Sequence, residues 1–303
     1  MSSCCSPQRS PAAGLRDTGC DEKRSELLER LAAEAPDRLQ LIGLAGGDFL
    51  MGSEAEDAYA QDFEGPVRRV TVAPFAIAAT TVTNAQFAAF ILDTGHVTDA
   101  EVHGDSLVFE GLLPAAVRAG LPRVQAAPWW CQTPGATWLY PLGDTTSVVD
   151  RPQHPVTHVS QRDALAYARW AGVRLLTETE WEFAARGGLE QQPYPWGSVR
   201  EPDGVARMNT FTGRFPDRPE GAVGTVAVDA FEPNGYGLHN MTGNVWEWTS
   251  SVFSTAQTTP VLRGGSYMCH ASYCKRYRTS ARTTATADTS LGHTGFRVGI
   301  TPP

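Results

Sequence analysis

Residues 261 to 298 read VLRGGSYMCHASYCKRYRTSARTTATADTSLGHTGFRV, and two cysteines, Cys269 and Cys274, stand within the stretch with four residues between them. They follow Gly264-Gly265-Ser266, a turn that its glycines are expected to make flexible, and Lys275, Arg276, Arg278 and Arg282 come close behind. Cations beside a sulfur favour thiolate over thiol, so both cysteines are expected to be primed for chemistry. Thiolate is also the soft ligand that selects Cu(I) over harder cations. A structural zinc normally takes four ligands, and the histidines at hand are His270, adjacent to Cys269, and His293, far along a loop. Two thiolates alone suit a low-coordinate copper better, and a disulfide closing a short loop is the plain alternative.

The pair sits inside a wider pattern. Gly264-Gly265-Ser266-Tyr267-Met268-Cys269-His270 is followed by Tyr273-Cys274-x-Arg276-Tyr277-Arg278 and by Gly295-Phe296-Arg297. Upstream lie Pro233-Asn234-Gly235-Tyr236-Gly237-Leu238 and Gly243-Asn244-Val245-Trp246-Glu247-Trp248, and earlier still Gly46-Gly47-x-Phe49-x-Met51-Gly52 and Thr177-Glu178-x-Glu180-Trp181-Glu182. Spanning about residues 41 to 300, these blocks resemble the formylglycine-generating enzymes, the sulfatase-modifying oxidases. In that family paired cysteines separate oxidases from non-catalytic relatives.

The resemblance implies an irregular, loop-rich α+β single domain related to the C-type lectin fold. It implies a copper-dependent oxidase that uses O2 to convert a cysteine within Cys-x-Pro-x-Arg of an unfolded or nascent protein to formylglycine. Cys269 and Cys274 would hold Cu(I) as a bis-thiolate, the substrate cysteine would add a third sulfur, and a thioaldehyde would hydrolyse with release of sulfide. Trp246 matches a tryptophan beside the substrate cysteine and Ser266 a hydroxyl close to the copper; a buried aromatic and a turn residue are the ordinary readings. Asn240, Glu247 and the carbonyls of Gly243 and Val245 match one structural Ca2+ site. Asn209, the Thr210 carbonyl, Glu220 and Ala222 match a second, where Glu220-Gly221-Ala222 replaces the usual Asp-Gly-aromatic step. Otherwise Asn240 and Asn244 cap turns by bonding backbone. Two stretches depart from the pattern, Ser160-Gln161-Arg162-Asp163 for Ser-Trp-Asn-Asp and Ala285-Thr286-Ala287-Asp288 for Asn-Thr-Pro-Asp; the second bears on the peptide cleft.

Composition narrows the class. An apolar fraction of 42% in 303 residues supports a well-buried core, while 29 Gly and 21 Pro point to loops rather than a helical bundle. A net charge of -8, with basic residues clustered only between Lys275 and Arg282, argues against nucleic acid as a partner. The first twenty residues are polar and broken by Pro7, Pro11 and Gly14, so a secretory signal is not expected, and no stretch is apolar enough for a membrane span. Cys4, Cys5 and Cys20 fall in this tail, which leaves Cys131, Cys269 and Cys274 in the body. Three thiols cannot form a disulfide framework, so a reducing cytoplasm is the expected home.

Residues 1–20, rich in Ser, Pro and Gly, read as a disordered tail. Within it Cys5-Ser6-Pro7-Gln8-Arg9 has the form Cys-x-Pro-x-Arg, so Cys5, with Pro7 and Arg9, is a candidate substrate or copper ligand in cis; an unrelated tail, or a Cys4-Cys5 pair that binds metal or lipid, is the alternative. Residues 21–38 read as a helical connector with Leu27, Leu28 and Leu31 on one face, and residues 39–303 as the catalytic domain. Leu41 to Gly52 alternates as a strand with a Gly46-Gly47 turn, and Val67 to Val72 with Phe75 to Ala79 predicts a hairpin around Pro74. Thr83-x-x-Gln86, Ser160-x-x-Asp163 and Thr177-x-x-Glu180 are capping boxes that open helices. His96 to Val149 reads as irregular, with Trp129, Trp130 and Trp138 filling core and Cys131 a small buried hydrophobe. His293 reads as a loop histidine bonded to backbone. Rival classes are a redox sensor using Cys269 and Cys274 as a reversible disulfide, and a peptide-binding module, which has no use for paired thiols beside basic residues. An iron-dependent sulfoxide synthase would need a His-rich N-terminal domain, and the first forty residues hold no histidine.

Overall fold

The computed structural model describes residues 21–36, 38–143 and 146–301. The tail and its Cys5, Pro7 and Arg9 lie outside the described residues. In chain order the elements are α1 (Asp21–Ala32), β1 (Leu41–Leu44), β2 (Gly47–Met51), β3 (Arg68–Val72), β4 (Phe75–Ala78), α2 (Asn84–Thr94), α3 (Asp99–His103), β5 (Asp105–Phe109), α4 (Ala115–Arg118), β6 (Arg123–Val124) and β7 (Ala127–Pro134). There follow α5 (Gln161–Trp170), β8 (Arg174–Leu175), α6 (Glu178–Ala185), β9 (Gly213–Arg214), β10 (Arg218–Pro219), β11 (Trp246–Val252), β12 (Pro260–Arg263), β13 (Arg282–Thr284), β14 (Thr294–Phe296) and β15 (Val298–Ile300). Short strands joined by long loops make this an irregular, loop-rich α+β domain, as its glycine and proline content predicts.

The hairpin expected around Pro74 does not form. Instead β1 pairs with β4 (Leu41↔Ala78 to Leu44↔Phe75) and β2 with β3 (Gly47↔Val72 to Met51↔Arg68). Both strands of one antiparallel ribbon bend where Gly46 faces Ala73-Pro74. Gly46 holds φ +70° there, and a Cβ on it would lie 2.2 Å from the Val72 carbonyl oxygen. Proline, lacking an N–H, interrupts the ladder at the same level without reversing the chain. The ribbon feeds a four-stranded sheet in the order β1-β4-β15-β8.

The three capping boxes are all present. Thr83, Ser160 and Thr177 each accept from the N–H three residues on, and Gln86, Asp163 and Glu180 each bond back to the cap. Gly95, at φ 64°, ends α2 in the left-handed conformation. Thr98 and Glu101 form a fourth box, opening α3. Leu27, Leu28 and Leu31 of α1 lie in the same buried cluster as Phe87, Phe90 and Ile91 of α2, with Trp138, Tyr167, Trp246, Trp248, Cys269 and Cys274.

The stretch expected to be irregular holds a three-stranded sheet, β5-β7-β6. On β7 Trp130 is buried and Trp129 half-buried. Two adjacent tryptophans hide the alternation that marks a strand. A second four-stranded sheet, β13-β12-β11-β14, carries the site. In it β11 runs antiparallel to β12 (Glu247↔Arg263, Trp248↔Leu262) and parallel to β14 (Trp246↔Thr294, Trp248↔Phe296). Among the described residues no helix is long and apolar enough to cross a membrane.

Candidate active site

The site grows from the end of β12. Gly264 (φ 97°) and Gly265 (φ 75°) turn the chain through space that no side chain could share, since a Cβ on Gly265 would lie 2.6 Å from the Arg276 carbonyl oxygen. The flexible turn expected here is thus a buried and fixed one. Ser266 then donates its N–H to Cys269 Sγ at 3.4 Å and accepts the Cys269 N–H on its carbonyl at 2.9 Å. The His270 carbonyl accepts the Cys274 N–H at 2.7 Å and closes a single turn. Both sulfurs therefore face one another, 3.2 Å apart, as free thiols that are 2% (Cys269) and 0% (Cys274) exposed. Cys131, the third free thiol among the described residues, is buried in a different cluster beside Val108 and Leu113.

The expectation that cationic neighbours prime these sulfurs needs correction. Burial, and then the hydrogen bond and charge of Cys274, push the Cys269 thiol well above its usual range. Each nearby arginine has a carboxylate of its own. Arg276 bonds both oxygens of Asp62 and lies 4.2 Å over the Tyr59 ring, Arg278 forks onto Glu64 at 2.7 and 2.8 Å, and Arg282 pairs with Glu178 at 2.9 Å. Arg276 also reaches toward the pair, with Nη1 4.0 Å from Cys274 Sγ. An ion-paired guanidinium offers little net field, so without a metal Cys269 keeps its proton, and a metal bound there must displace it.

Asp62 and Glu64 come from the loop after β2, more than 200 residues earlier, and tie it to the cysteine turn. Burial raises the Asp62 carboxyl and Arg276 offsets this only in part. Ser280 Oγ donates to Glu64 at 2.9 Å, and Tyr59 Oη accepts the Lys275 N–H at 3.0 Å. Sequence reasoning missed this clamp; the one available signal was an acidic run, Asp57, Asp62 and Glu64, answering an arginine run.

Trp246 and Ser266 come to the site along separate routes. Trp246 is 0% exposed on β11, gives its backbone N–H to the His293 carbonyl at 2.8 Å, and has an indole N–H without a hydrogen-bond partner. Ser266 Oγ lies 2.9 Å from His293 Nδ1 and accepts the Met268 N–H at 3.3 Å. His293 is therefore not the backbone-bonded loop histidine expected; it is buried, with its ring edge-on to Trp130 at 4.7 Å. His270 is half-buried and bonds Ser272 Oγ at 2.7 Å, away from the sulfurs.

The residues matched to calcium behave unequally. Asn240 holds φ 50° and donates Nδ2 to the carbonyls of Ala227 and Val228, leaving a buried Oδ1 with no partner. A partnerless buried oxygen is what a hard cation takes up. Gly243, two residues before Val245, sits at φ 77° with its N–H on the Gly264 carbonyl, so this turn abuts the glycine pair of the cysteine loop. Glu247, by contrast, pairs with Arg297 at 3.1 Å and accepts the Trp181 indole N–H at 2.8 Å, so only leftover lone pairs could serve a cation. At the second set, Asn209 Nδ2 bonds the Gly224 carbonyl and Asn244 Oδ1, Arg200 bonds the Thr210 hydroxyl, and Glu220 and Ala222 are exposed beyond β10. No partnerless buried side-chain oxygen occurs among Asn209, Thr210 and Glu220. Of the two departures from the family pattern, Gln161 bonds the Thr249 carbonyl, and the Arg162 N–H meets the Ala287 carbonyl at 3.4 Å, so the two stretches touch.

The soft donor set fits a single low-coordinate ion. Among the described residues no group of three or more His, Cys, Asp or Glu side chains is placed to hold a metal, and the two sulfurs by themselves would offer a metal two soft donors, a set that suits monovalent copper better than zinc.

A family profile described as a sulfatase-modifying factor enzyme 1-like domain matches residues 28–301. The formylglycine-generating enzyme of Thermomonospora curvata is 48% identical over 287 residues, covering 86% of this chain and 93% of that protein. That of Streptomyces coelicolor is 47% identical over 274 residues, covering 84% and 87%. The inactive C-alpha-formylglycine-generating enzyme 2 of Bos taurus is nevertheless 44% identical over 267 residues, covering 86% and 87%. Among solved structures, PvdO from Pseudomonas aeruginosa has a TM-score of 0.58 at 24% identity, covering 88% of this chain and 95% of that one, a likeness of fold alone.

Proposed function

The chain belongs to the sulfatase-modifying factor enzyme 1-like family, and on that premise we propose that it is an oxidase converting a peptidyl cysteine within Cys-x-Pro-x-Arg to formylglycine, using O2 and one Cu(I) held by Cys269 and Cys274. Similarity over most of the chain extends to a relative named inactive, so it does not by itself carry turnover. The observation that carries the reading is local: two free, buried sulfurs 3.2 Å apart.

Copper bound there would supply the redox chemistry with O2 that takes a hydrogen from the substrate Cβ. The chain's own residues supply position and dryness. Ser266 N–H and the one-turn loop fix Cys269 Sγ and Cys274 Sγ, while Tyr277 and Trp246 share the buried cluster of the pair. Their thiol protons leave when the metal enters. Two electrons come from the substrate and two from an added thiol reductant, O2 goes to water, and hydrolysis of the thioaldehyde yields the aldehyde and sulfide. A reducing cytoplasm suits a site whose sulfurs must stay unpaired.

Calcium belongs to the same reading, at the Asn240 Oδ1 turn with the carbonyls of Gly243 and Val245. Millimolar Ca2+ is expected to raise the unfolding temperature of the wild type by several degrees and to leave Asn240→Ala almost unmoved, since binding to the native state alone stabilises it. Calorimetry with and without chelator checks this; an equal rise in both would remove Asn240 from the site.

The tail motif extends the reading to the protein itself. Because α1 is packed into the core, the tether is the fifteen residues between Cys5 and Asp21, which at about 3.3 Å each span at most about 50 Å. Tethering supplies an effective concentration in the millimolar range, so Cys5 is read as a substrate in cis. The test is an aerobic assay of the copper-loaded protein on two peptides, one of sulfatase type and one copied from residues 1 to 15, with intact-mass analysis of the protein's own N-terminal peptide. Aldehyde in the peptides is expected. An unmodified Cys5 excludes self-oxidation, and a disulfide between Cys269 and Cys274 without any aldehyde would favour a redox sensor.

A further inference from the structure

We infer that His293 is a positioning residue for Ser266, its imidazole fixing the rotamer and proton direction of the hydroxyl at the start of the turn that carries Cys269. The inference rests on the oxidase reading for its kinetic arm, though not for its spectroscopic one.

Almost every polar group of Ser266 is spent within the cysteine turn. Its N–H goes to Cys269 Sγ, its carbonyl takes the Cys269 N–H, and its Oγ takes the Met268 N–H. What remains to the hydroxyl is its proton and a second lone pair, and at 2.9 Å His293 Nδ1 takes one of them. With Nδ1 bare the imidazole draws the hydroxyl proton to itself. With Nδ1 protonated it donates instead and releases that proton to another acceptor. The tautomer thus decides which face of the hydroxyl meets a visiting group.

The ring is held firmly enough for this. Trp130 packs against it at 4.7 Å, with 73° between the ring planes. The loop that carries it is tied just ahead of the ring, by His158 N–H to the Leu291 carbonyl, Gly292 N–H to the Leu107 carbonyl, and Tyr267 Oη to the Gly292 carbonyl. The His293 carbonyl meanwhile accepts the Trp246 N–H. One residue therefore links, by side chain and by backbone, the hydroxyl and the indole that stand nearest in role to the reacting centre. A histidine that merely fills the core would give the same burial, and kinetics separate the two cases.

The test uses full-length copper-loaded wild type with His293→Leu, His293→Asn, Ser266→Ala and the His293→Leu/Ser266→Ala double variant, assayed on a Cys-x-Pro-x-Arg peptide. Leucine keeps the packing against Trp130 and removes the hydrogen bond; it is expected to lower kcat by about ten- to a hundredfold with KM changed less than about threefold. Asparagine carries a polar atom at the reach of Nδ1 and is expected to restore most of the rate. In the Ser266→Ala background His293→Leu is expected to cost less than about twofold more. Multiplying effects, an asparagine variant as slow as leucine, or a loss confined to KM would overturn the inference. If the wild type itself fails to oxidise peptide, the oxidase reading falls, and His293 is judged by imidazole 15N resonances of the histidine-labelled protein. A single tautomer whose Nδ1 signal moves on Ser266→Ala upholds the inference, and an unmoved signal overturns it. That arm also decides the case should the leucine variant fail to fold.

Discussion

Replacing Cys269 or Cys274 by serine is expected to lower aldehyde formation from a Cys-x-Pro-x-Arg peptide by about a thousandfold or more, because a hydroxyl is a hard ligand that stays protonated where a thiolate would grip copper. The fold should survive. A serine hydroxyl buried without a partner costs about 1–3 kcal/mol, against a total stability of about 5–15 kcal/mol. Cys131→Ser supplies the control, since it makes the same exchange at a buried thiol packed with Val108, Leu113 and Ala136, away from the pair. It should lose similar stability and keep its turnover. Equal loss of activity in all three variants would mean that damage to the core, rather than loss of a ligand, explains the effect.

The largest expected effect on stability is at Glu182. Its carboxylate accepts the Gly52 N–H at 2.7 Å, bonds Arg186 at 2.7 Å and pairs with Arg263, joining β2, α6 and β12 in one buried cluster. Glu182→Ala strands two guanidinium groups in the interior and should cost about 3–5 kcal/mol, read as a lower urea midpoint with an unchanged slope. Acid dependence gives a second signature. Burial pushes this carboxyl up, yet Arg263, Arg186 and the Gly52 N–H outweigh it and hold the group below its ordinary value of 4.5. A depressed folded-state value stabilises the protein fully above that ordinary value and loses the contribution as pH falls through the depressed one. The wild type should therefore lose midpoint on acidification below about pH 4.5, and the alanine variant should lose less over the same range. Parallel acid profiles would show that the cluster does not depend on this charge.

Local signals in the sequence were legible and partner choice was not. The boxes at Thr83, Ser160 and Thr177 place helix starts because a cap and its answering side chain lie three residues apart. The same signal at Thr98 was passed over because the five-residue helix it opens carries no periodic face. Pro74 suggested a hairpin because a proline between two apolar runs resembles a turn, whereas pairing β3 with β2 is decided by Gly46, far away in sequence. At the site, Cys269 and Cys274, which the family resemblance pairs, stand 3.2 Å apart. Their electrostatic setting was hidden, because Asp62 lies 214 residues before the Arg276 it neutralises, and a row of arginines read alone looks like free positive charge. His293 was hidden in the same way: its partner, Ser266, lies 27 residues upstream.

The most direct test of the account is an anaerobic Cu(I) titration of the reduced protein against a competing chromophoric chelator. One equivalent of copper per chain is predicted for the wild type and for Cys131→Ser, with that equivalent lost in both Cys269→Ser and Cys274→Ser. Absence of stoichiometric binding in the wild type, or binding that persists in the two serine variants, would contradict a copper centre built on this pair of sulfurs.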